Sequence, residues 1–129
     1  WSYTTSTYTT AISISADGNY VAVGIKSSAS YEFSFFTKNS ATPLWGYSTD
    51  ADVTAVSVSA NGNYVAVSSD DDKVNVFDKD GNNLWSFEAD WDISSIEFSA
   101  NGEYLSVGSQ GKGYLFAIGN SSPIWTFSN

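Results

Sequence analysis

The fold of this chain follows from a six-residue stretch, SADGNY at residues 15–20, that occurs three times. It returns 44 residues later as SANGNY at 59–64, and a further 40 residues later as SANGEY at 99–104. Asp-Gly and Asn-Gly are strong signals for a tight hairpin turn, because both residues tolerate the positive φ that such a turn requires. A turn repeated at this spacing indicates a chain built from structural repeats of about forty residues.

A second motif, centred on tryptophan, keeps the same spacing. LWGY at residues 44–47 returns as LWSF at 84–87 and as IWTF at 124–127. The first three residues, WSY, are the same motif without its first position. Because two separate motifs share the same offsets, the chain is read as three complete repeats preceded by the last part of a fourth.

Each repeat contains four short segments typical of β-strands. The first alternates apolar and polar residues, as a half-buried strand does, and the second follows the turn and is rich in valine. The third leads through a polar turn to the fourth, which carries the tryptophan. We expect first strands at residues 11–15, 55–59 and 95–99, second strands at 20–24, 64–68 and 104–108, and third strands at 31–37, 73–77 and 113–118.

Four antiparallel strands in a unit of about forty residues are typical of one β-propeller blade. The sequence therefore predicts an all-β fold of three four-stranded antiparallel blades, at about 9–48, 53–88 and 93–128. We expect residues 1–129 to form one repeat domain. Residues 1–5 are expected to be an extra strand that belongs to a preceding or neighbouring blade.

The repeats resemble those of the WD40 family, with Phe77-Asp78 at the position of that family's Trp-Asp dipeptide. The end of the repeat, GNNLWSF at 81–87, is similar to the tryptophan-docking motif of PQQ-like, quinoprotein-type propellers. Together the motifs most closely resemble WD40/PQQ-like repeats of archaeal surface and secreted proteins. The Gly-His step of WD40 repeats is absent, so the resemblance does not imply their histidine-based hydrogen-bond network.

The composition excludes several classes of chemistry. The chain has no Cys, His, Met or Arg. Disulfides, Cys/His zinc sites and catalytic triads that use imidazole or thiol groups are therefore excluded. A net charge of −9 argues against nucleic acid or an anionic membrane as partner. We expect no catalytic residues and no enzyme activity.

The resemblance to quinoproteins implies PQQ and calcium as the cofactors of a complete ring. Without Arg the chain lacks the residue type expected to bind the quinone carboxylates, and three blades cannot enclose the cofactor. We therefore expect no organic cofactor. A fragment of a quinoprotein-like enzyme stays open as the second alternative for function.

Five tryptophans divide into two groups. Four share one position of the repeat motif and are candidate structural anchors between blades: Trp1, Trp45, Trp85 and Trp125. Trp91 has no equivalent in the other repeats and is the best candidate for a binding aromatic that contacts a sugar or a partner surface. The alternative is that Trp91 lies against its neighbours in a loop.

Acidic residues collect in connections that propeller topology places on one rim. The candidate binding residues are Asp50, Asp52, Asp70, Asp71, Asp72, Asp90 and Asp92, with Lys26, Lys73 and Lys112 nearby. Clustered carboxylates are ligands that Ca²⁺ prefers, and Asp90 and Asp92 are its candidate ligands here. The alternative is a solvated acidic face that aids solubility.

Three blades leave two open sheet edges, since propellers usually close with four to eight blades. The expected partners are therefore other copies of the chain or further blades of a longer chain. The first alternative is a protein or glycan bound at the acidic rim and Trp91.

The expected function is a structural assembly module at the cell surface or outside the cell. Asn120-Ser121-Ser122 is a glycosylation sequon, which fits that location. No stretch of eighteen apolar residues is present, so we expect no insertion into a membrane.

Overall fold

Residues 1–5, 7–26 and 31–129 are described by the structure, a computed structural model, and they form twelve β-strands and no helix. Consecutive strands pair antiparallel into three four-stranded sheets, so each sequence repeat is one sheet, hereafter a blade. The all-β prediction of three four-stranded antiparallel units is confirmed. Blade 1 contains β1 (Tyr8–Ile14), β2 (Tyr20–Lys26), β3 (Tyr31–Thr37) and β4 (Trp45–Ser48); blade 2 contains β5 (Val53–Val58), β6 (Tyr64–Ser69), β7 (Lys73–Asp78) and β8 (Asn83–Glu88); blade 3 contains β9 (Ile93–Phe98), β10 (Tyr104–Ser109), β11 (Lys112–Ala117) and β12 (Trp125–Ser128).

One serine organises the first hairpin of every blade. Ser15 Oγ donates a 2.6 Å hydrogen bond to Asp17 and accepts one of 3.0 Å from the amide of Tyr20. Ser59 and Ser99 form the same pair of bonds in the other two turns. The turn glycine has a φ of 70–71° in all three blades, a left-handed value that glycine adopts without strain. The repeated stretch is therefore the hairpin itself.

The strand register places an apolar residue beside each tryptophan of the fourth strands. Directly opposite residues of antiparallel strands lie on the same face of a sheet. The pairs are Phe35 opposite Trp45, Val76 opposite Trp85 and Leu115 opposite Trp125. Each blade thus presents the same kind of apolar face in the direction of the blade that follows it.

Apolar side chains fill the space between consecutive blades. Between blades 1 and 2 the core contains Ala22, Phe33, Phe35, Val53, Val56, Val58, Val65, Val67 and Phe77, and between blades 2 and 3 it contains Ala66, Val74, Val76, Trp85, Ala89, Ile93, Ile96, Phe98, Leu105, Val107, Tyr114 and Phe116. Hydrogen bonds cross both interfaces at equivalent places. Ser13 Oγ accepts from the amide of Val58, and Ser57 Oγ accepts from the amide of Phe98.

The extra strand expected at residues 1–5, as part of a preceding or neighbouring blade, stays a prediction. These residues carry no strand assignment, although they are described. A fourth strand of a blade pairs with the third strand of its own blade, and the described residues contain no such third strand for residues 1–5. The side chains of Trp1 and Tyr3 nevertheless contact Phe36 of blade 1.

Candidate functional site

Tryptophans of the repeat motif join one blade to the next. The indole nitrogen of Trp45 donates a 2.8 Å hydrogen bond to the carbonyl oxygen of Lys79, and that of Trp85 donates one of 2.6 Å to Ile118. In each case the acceptor follows a buried phenylalanine of the third strand by two positions. The tryptophan ring packs on that phenylalanine, Phe77 or Phe116, with ring centroids 5.5 and 5.2 Å apart.

The second aromatic residue of the motif packs on the same phenylalanine. Tyr47 lies 4.8 Å from Phe77, and Phe87 lies 4.8 Å from Phe116, between ring centroids. The motif Trp-x-Tyr/Phe therefore docks as a unit, with two aromatic contacts and one hydrogen bond. We call this arrangement the docked motif.

Residues 1–3 make the contacts of a third docked motif on blade 1, although Trp1 itself stays 60% exposed. Trp1 stacks on Phe36 at 5.8 Å and donates from its indole nitrogen to the carbonyl oxygen of Lys38, while Tyr3 lies 4.9 Å from Phe36. Phe36 and Lys38 are the blade 1 counterparts of the phenylalanine and the acceptor in blades 2 and 3. Residues 1–3, the N-terminal segment, thus occupy the position that the fourth strand of a preceding blade would occupy.

The fourth copy of the motif docks on nothing in the described chain. Trp125 is 50% exposed and Phe127 is 64% exposed, whereas Trp85 is 9% exposed at the same repeat position. Among the described residues no blade follows blade 3 to cover them. Tyr104, Leu115, Trp125 and Phe127 together are called the C-terminal face.

The opposite end of the domain is also open. Ile12 and Ile14 of β1 are 70% and 61% exposed, whereas their blade 2 counterparts Val56 and Val58 are buried. A small apolar cluster in the same blade contains Val23, Ile25 and Phe36, with Val21 packed against it. We call Ile12, Ile14, Val21, Val23 and Phe36 the N-terminal face.

The acidic rim residues lie together at one end of the blades. The amide of Asp70 donates to the carbonyl oxygen of Asp52 at 2.9 Å, and the amide of Ala89 donates to that of Asp72 at 2.8 Å, so turns of adjacent segments meet there. Lysines neutralise part of the cluster: Lys26 pairs with Asp52, Lys73 with Asp50 and Asp71, and Lys112 with Asp90. The rim is therefore a network of ion pairs with an excess of carboxylates.

The carboxyl group of Asp72 lies in an electrostatically unfavourable environment on this rim. Its burial raises the pKa of its carboxyl group, and the negative charges of Asp92 and Asp71 raise the pKa further. Its backbone has a φ of 64°, a left-handed value that is uncommon outside glycine. In blade 3 the corresponding residue is Gly111, with a φ of 73°. Asp72 therefore combines backbone strain with charge repulsion.

Trp91 lies in the connection between blades 2 and 3 and is 57% exposed. Its neighbours Asp90 and Asp92 are exposed as well, so an aromatic surface flanked by carboxylates faces solvent. Within the described part of the chain, no three acidic residues come together as a metal site would require. Calcium at Asp90 and Asp92 stays a prediction.

The residues do not fit PQQ. A cleft of about 470 Å³ between blades 2 and 3 is lined by Tyr64, Asp78, Leu84, Trp85, Ile118 and Gly119. This lining contains the carboxylate of Asp78 and no cation. Because PQQ itself carries carboxylates, the cleft offers no positive charge to bind them.

Asn120 lies at an exposed turn, where its side-chain oxygen accepts a 2.9 Å hydrogen bond from the amide of Ser122. The side chain is accessible from solvent, and its glycosylation stays a prediction.

Two features of these sites were missed by sequence reasoning. One is the identity of the aspartates with which each rim lysine pairs. The other is the backbone carbonyl that accepts the hydrogen bond of each docked tryptophan. It lies two residues after the buried phenylalanine of the third strand, and this constant spacing in the sequence could have indicated it.

Comparison with known proteins places the fold. Residues 41–78 match the family model of the WD40 repeat (WD domain, G-beta repeat), which here covers the end of blade 1 and most of blade 2. No curated protein matches the chain.

Across residues 1–5, 7–26 and 31–129 there is no helix of the length and apolar character needed to cross a bilayer.

A solved structure described as "Structure of U3-55K" is similar to this chain, with a TM-score of 0.85 and 14% sequence identity. The match covers 98% of this chain and 41% of that one, so this chain spans about two-fifths of its length. The similarity to PQQ-like and archaeal surface proteins stays a prediction. The chain is an all-β protein whose three sheets have the fold of WD40-type β-propeller blades.

Proposed function

We propose that this chain is a non-enzymatic propeller module that assembles head to tail, through its two open faces, with other copies of itself or with further blades. The observation that carries the proposal is the undocked motif at Trp125 and Phe127. Two equivalent motifs are already docked on the next blade, so the exposed copy has the side chains that such an interface needs. WD40 propellers generally act as scaffolds for protein interactions, which supports a binding role rather than a catalytic one.

An exterior location is part of the same proposal. The chain has no cysteine whose redox state would depend on the compartment, and its sequon at Asn120 is solvent-accessible. An acidic surface keeps such a module soluble before it assembles.

Sedimentation velocity of the purified chain over a range of concentrations tests the assembly. We expect oligomers whose fraction rises with concentration, and we expect the double variant Trp125→Ala/Phe127→Ala to stay monomeric. Ile124→Ala is the matched control, because its counterparts Leu44 and Leu84 stay exposed even where a following blade is present. A wild-type chain that is monomeric at every concentration would refute the proposal.

A second candidate function is binding of a protein or glycan through Trp91 and the acidic rim. Its support is the exposed indole between two exposed aspartates, which no blade contact explains. A glycan array and a tryptophan fluorescence titration, each repeated with Trp91→Ala, test this function. Binding that is unchanged in the variant would remove Trp91 from the site.

The melting temperature of the chain, measured with calcium and then with a chelator, tests the predicted calcium site at Asp90 and Asp92. Equal melting temperatures would exclude calcium binding.

A further inference from the structure

The N-terminal segment and the C-terminal face carry the same docking chemistry. Trp1 and Tyr3 make two aromatic contacts with Phe36 and one hydrogen bond with Lys38. These are the contacts that Trp45 and Tyr47 make with the next blade. The exposed residues 125–127 have the sequence Trp-Thr-Phe, which offers the same indole donor and the same pair of rings.

The N-terminal segment covers only part of the face on which it docks. Phe36 is fully buried, but Ile12 and Ile14 stay largely exposed. A cleft of about 230 Å³ separates the segment from the sheet and is lined on the sheet side by Thr9, Ile12, Val21 and Val23. A complete preceding blade covers these positions, because the blade 2 and blade 3 counterparts of Ile12 are 8% exposed.

The contacts beyond the motif also favour a complete blade. At the two internal interfaces a serine, Ser13 or Ser57, accepts a hydrogen bond from an amide of the next blade. The equivalent residue on blade 3 is Glu97, and its exposed carboxylate is an acceptor as well. The equivalent amide on blade 1 is that of Ile14.

We infer that residues 1–3 are an internal competitor for head-to-tail assembly: they occupy the site on Phe36 and Lys38 that residues 125–127 of a second copy use, and assembly displaces them. The inference rests on the proposed function, because it names the partner and the control of that same interface. The partner is a second copy since its residues 125–127 match the docked motif and stay exposed among the described residues of their own chain. Continuity with two internal interfaces of the same kind supports this choice.

The energetic consequence is a reduced affinity between copies. A binding site that is available only for a fraction of the time lowers the apparent affinity by that fraction. The segment gives up its own docking contacts on displacement, and the incoming blade replaces them and also covers Ile12 and Ile14. The segment therefore raises the protein concentration at which the chain assembles, but it does not prevent assembly.

The test compares the wild-type chain with the double variant Trp1→Ala/Tyr3→Ala by sedimentation velocity. If the segment occupies the site about nine-tenths of the time, the variant assembles at a concentration about tenfold lower than the wild type. Tyr8→Ala, which removes an exposed aromatic ring of β1, is the matched control and is expected to assemble like the wild type. Circular dichroism establishes that each variant is folded.

A quadruple variant distinguishes specific assembly from aggregation on the uncovered Phe36. Adding Trp125→Ala/Phe127→Ala to the double variant should return it to monomer, and oligomers that persist would overturn the inference. Trp1→Phe keeps a ring on Phe36 but removes the hydrogen bond to Lys38, so it should shift assembly in the same direction by less. This milder variant keeps the test valid if the double variant does not fold.

The failure of the inference differs from that of the proposed function. Equal assembly of the wild type and the Trp1→Ala/Tyr3→Ala variant overturns the competitor role and leaves head-to-tail assembly in place. Monomers in every variant and at every concentration refute the proposed function, and the inference with it.

Discussion

The indole nitrogen of Trp85 donates a 2.6 Å hydrogen bond to the carbonyl oxygen of Ile118, which lies 33 residues further along the chain and in the next blade. The same ring packs on Phe116. A single side chain thus combines a polar and an apolar contact across a blade interface, and its effect on stability can be compared with that of an undocked copy in the same molecule.

Trp85→Ala is expected to destabilise the domain by about 3–5 kcal/mol, because it removes a large buried side chain and leaves a cavity between blades 2 and 3. Chemical denaturation at a concentration where the chain is monomeric measures the change. Trp125→Ala is the matched control, since it has the same repeat position but is half exposed, and should cost under about 1 kcal/mol. Equal losses for the two variants would contradict the assignment of Trp85 as an interface anchor.

Gly62→Ala is expected to be more destabilising than Gly18→Ala by about 1–3 kcal/mol, the usual cost of overpacking. Both glycines have a φ of 70–71°, so both substitutions introduce the same backbone strain. A Cβ on Gly62 would overlap the ring of Tyr20 in blade 1, whereas one on Gly18 has no heavy atom within 4 Å. Urea unfolding of both variants measures the difference, and similar midpoints would show that the contact with Tyr20 is not tightly packed.

Asp72→Asn is expected to raise the melting temperature at neutral pH. The pKa of this carboxyl group is raised in the folded state, so ionised Asp72 lowers the stability of the fold at a pH above that pKa. This unfavourable contribution disappears as the pH falls and the carboxyl group is protonated. Asn also tolerates a left-handed φ. The gain should therefore be present near pH 7 and shrink below the pKa of Asp72. Thermal unfolding at several pH values measures it, with Asp70→Asn as the control, and a gain independent of pH would contradict the electrostatic explanation.

Self-association is expected to strengthen as salt is added. Each chain carries a net charge of −9, so copies repel one another at low ionic strength. Raising the salt concentration from about 0.1 M to about 1 M shortens the Debye length from about 10 Å to about 3 Å and screens that repulsion. Sedimentation velocity at fixed protein concentration measures the oligomer fraction. A fraction that falls with salt would indicate an interface formed by ion pairs rather than by the aromatic motif.

Much of the fold could be predicted because it is encoded locally. The stretch at 15–20 contains the serine, the Asp and the glycine that form its own hairpin, so one segment of sequence specifies one turn. The alternation in β9 likewise marks the buried face of that strand, whereas β5 lies between two blades and buries Ser57 as well. The strand at residues 1–5 stays a prediction, because a strand needs a partner that the local sequence does not reveal.

The candidate sites were less predictable, since they depend on residues far apart in the chain. The position of Asp72 near Asp92 comes from the meeting of two turns, and no spacing in the sequence implies the resulting shift in pKa. The pairing of Lys73 with Asp50 joins residues 23 positions apart. Sequence indicated an acidic rim, but not which charges within it are neutralised.

By itself the sequence determined the repeat, the strands and the aromatic motif, because periodicity and turn chemistry act over a few neighbouring residues. Only the tertiary structure decided what each copy of that motif does. Trp85 is buried, Trp1 docks without a strand, and Trp125 faces solvent, although all three share one repeat position. The physical reason is that the burial of a tryptophan depends on whether a neighbouring blade covers it, and the sequence of a single repeat does not contain that information.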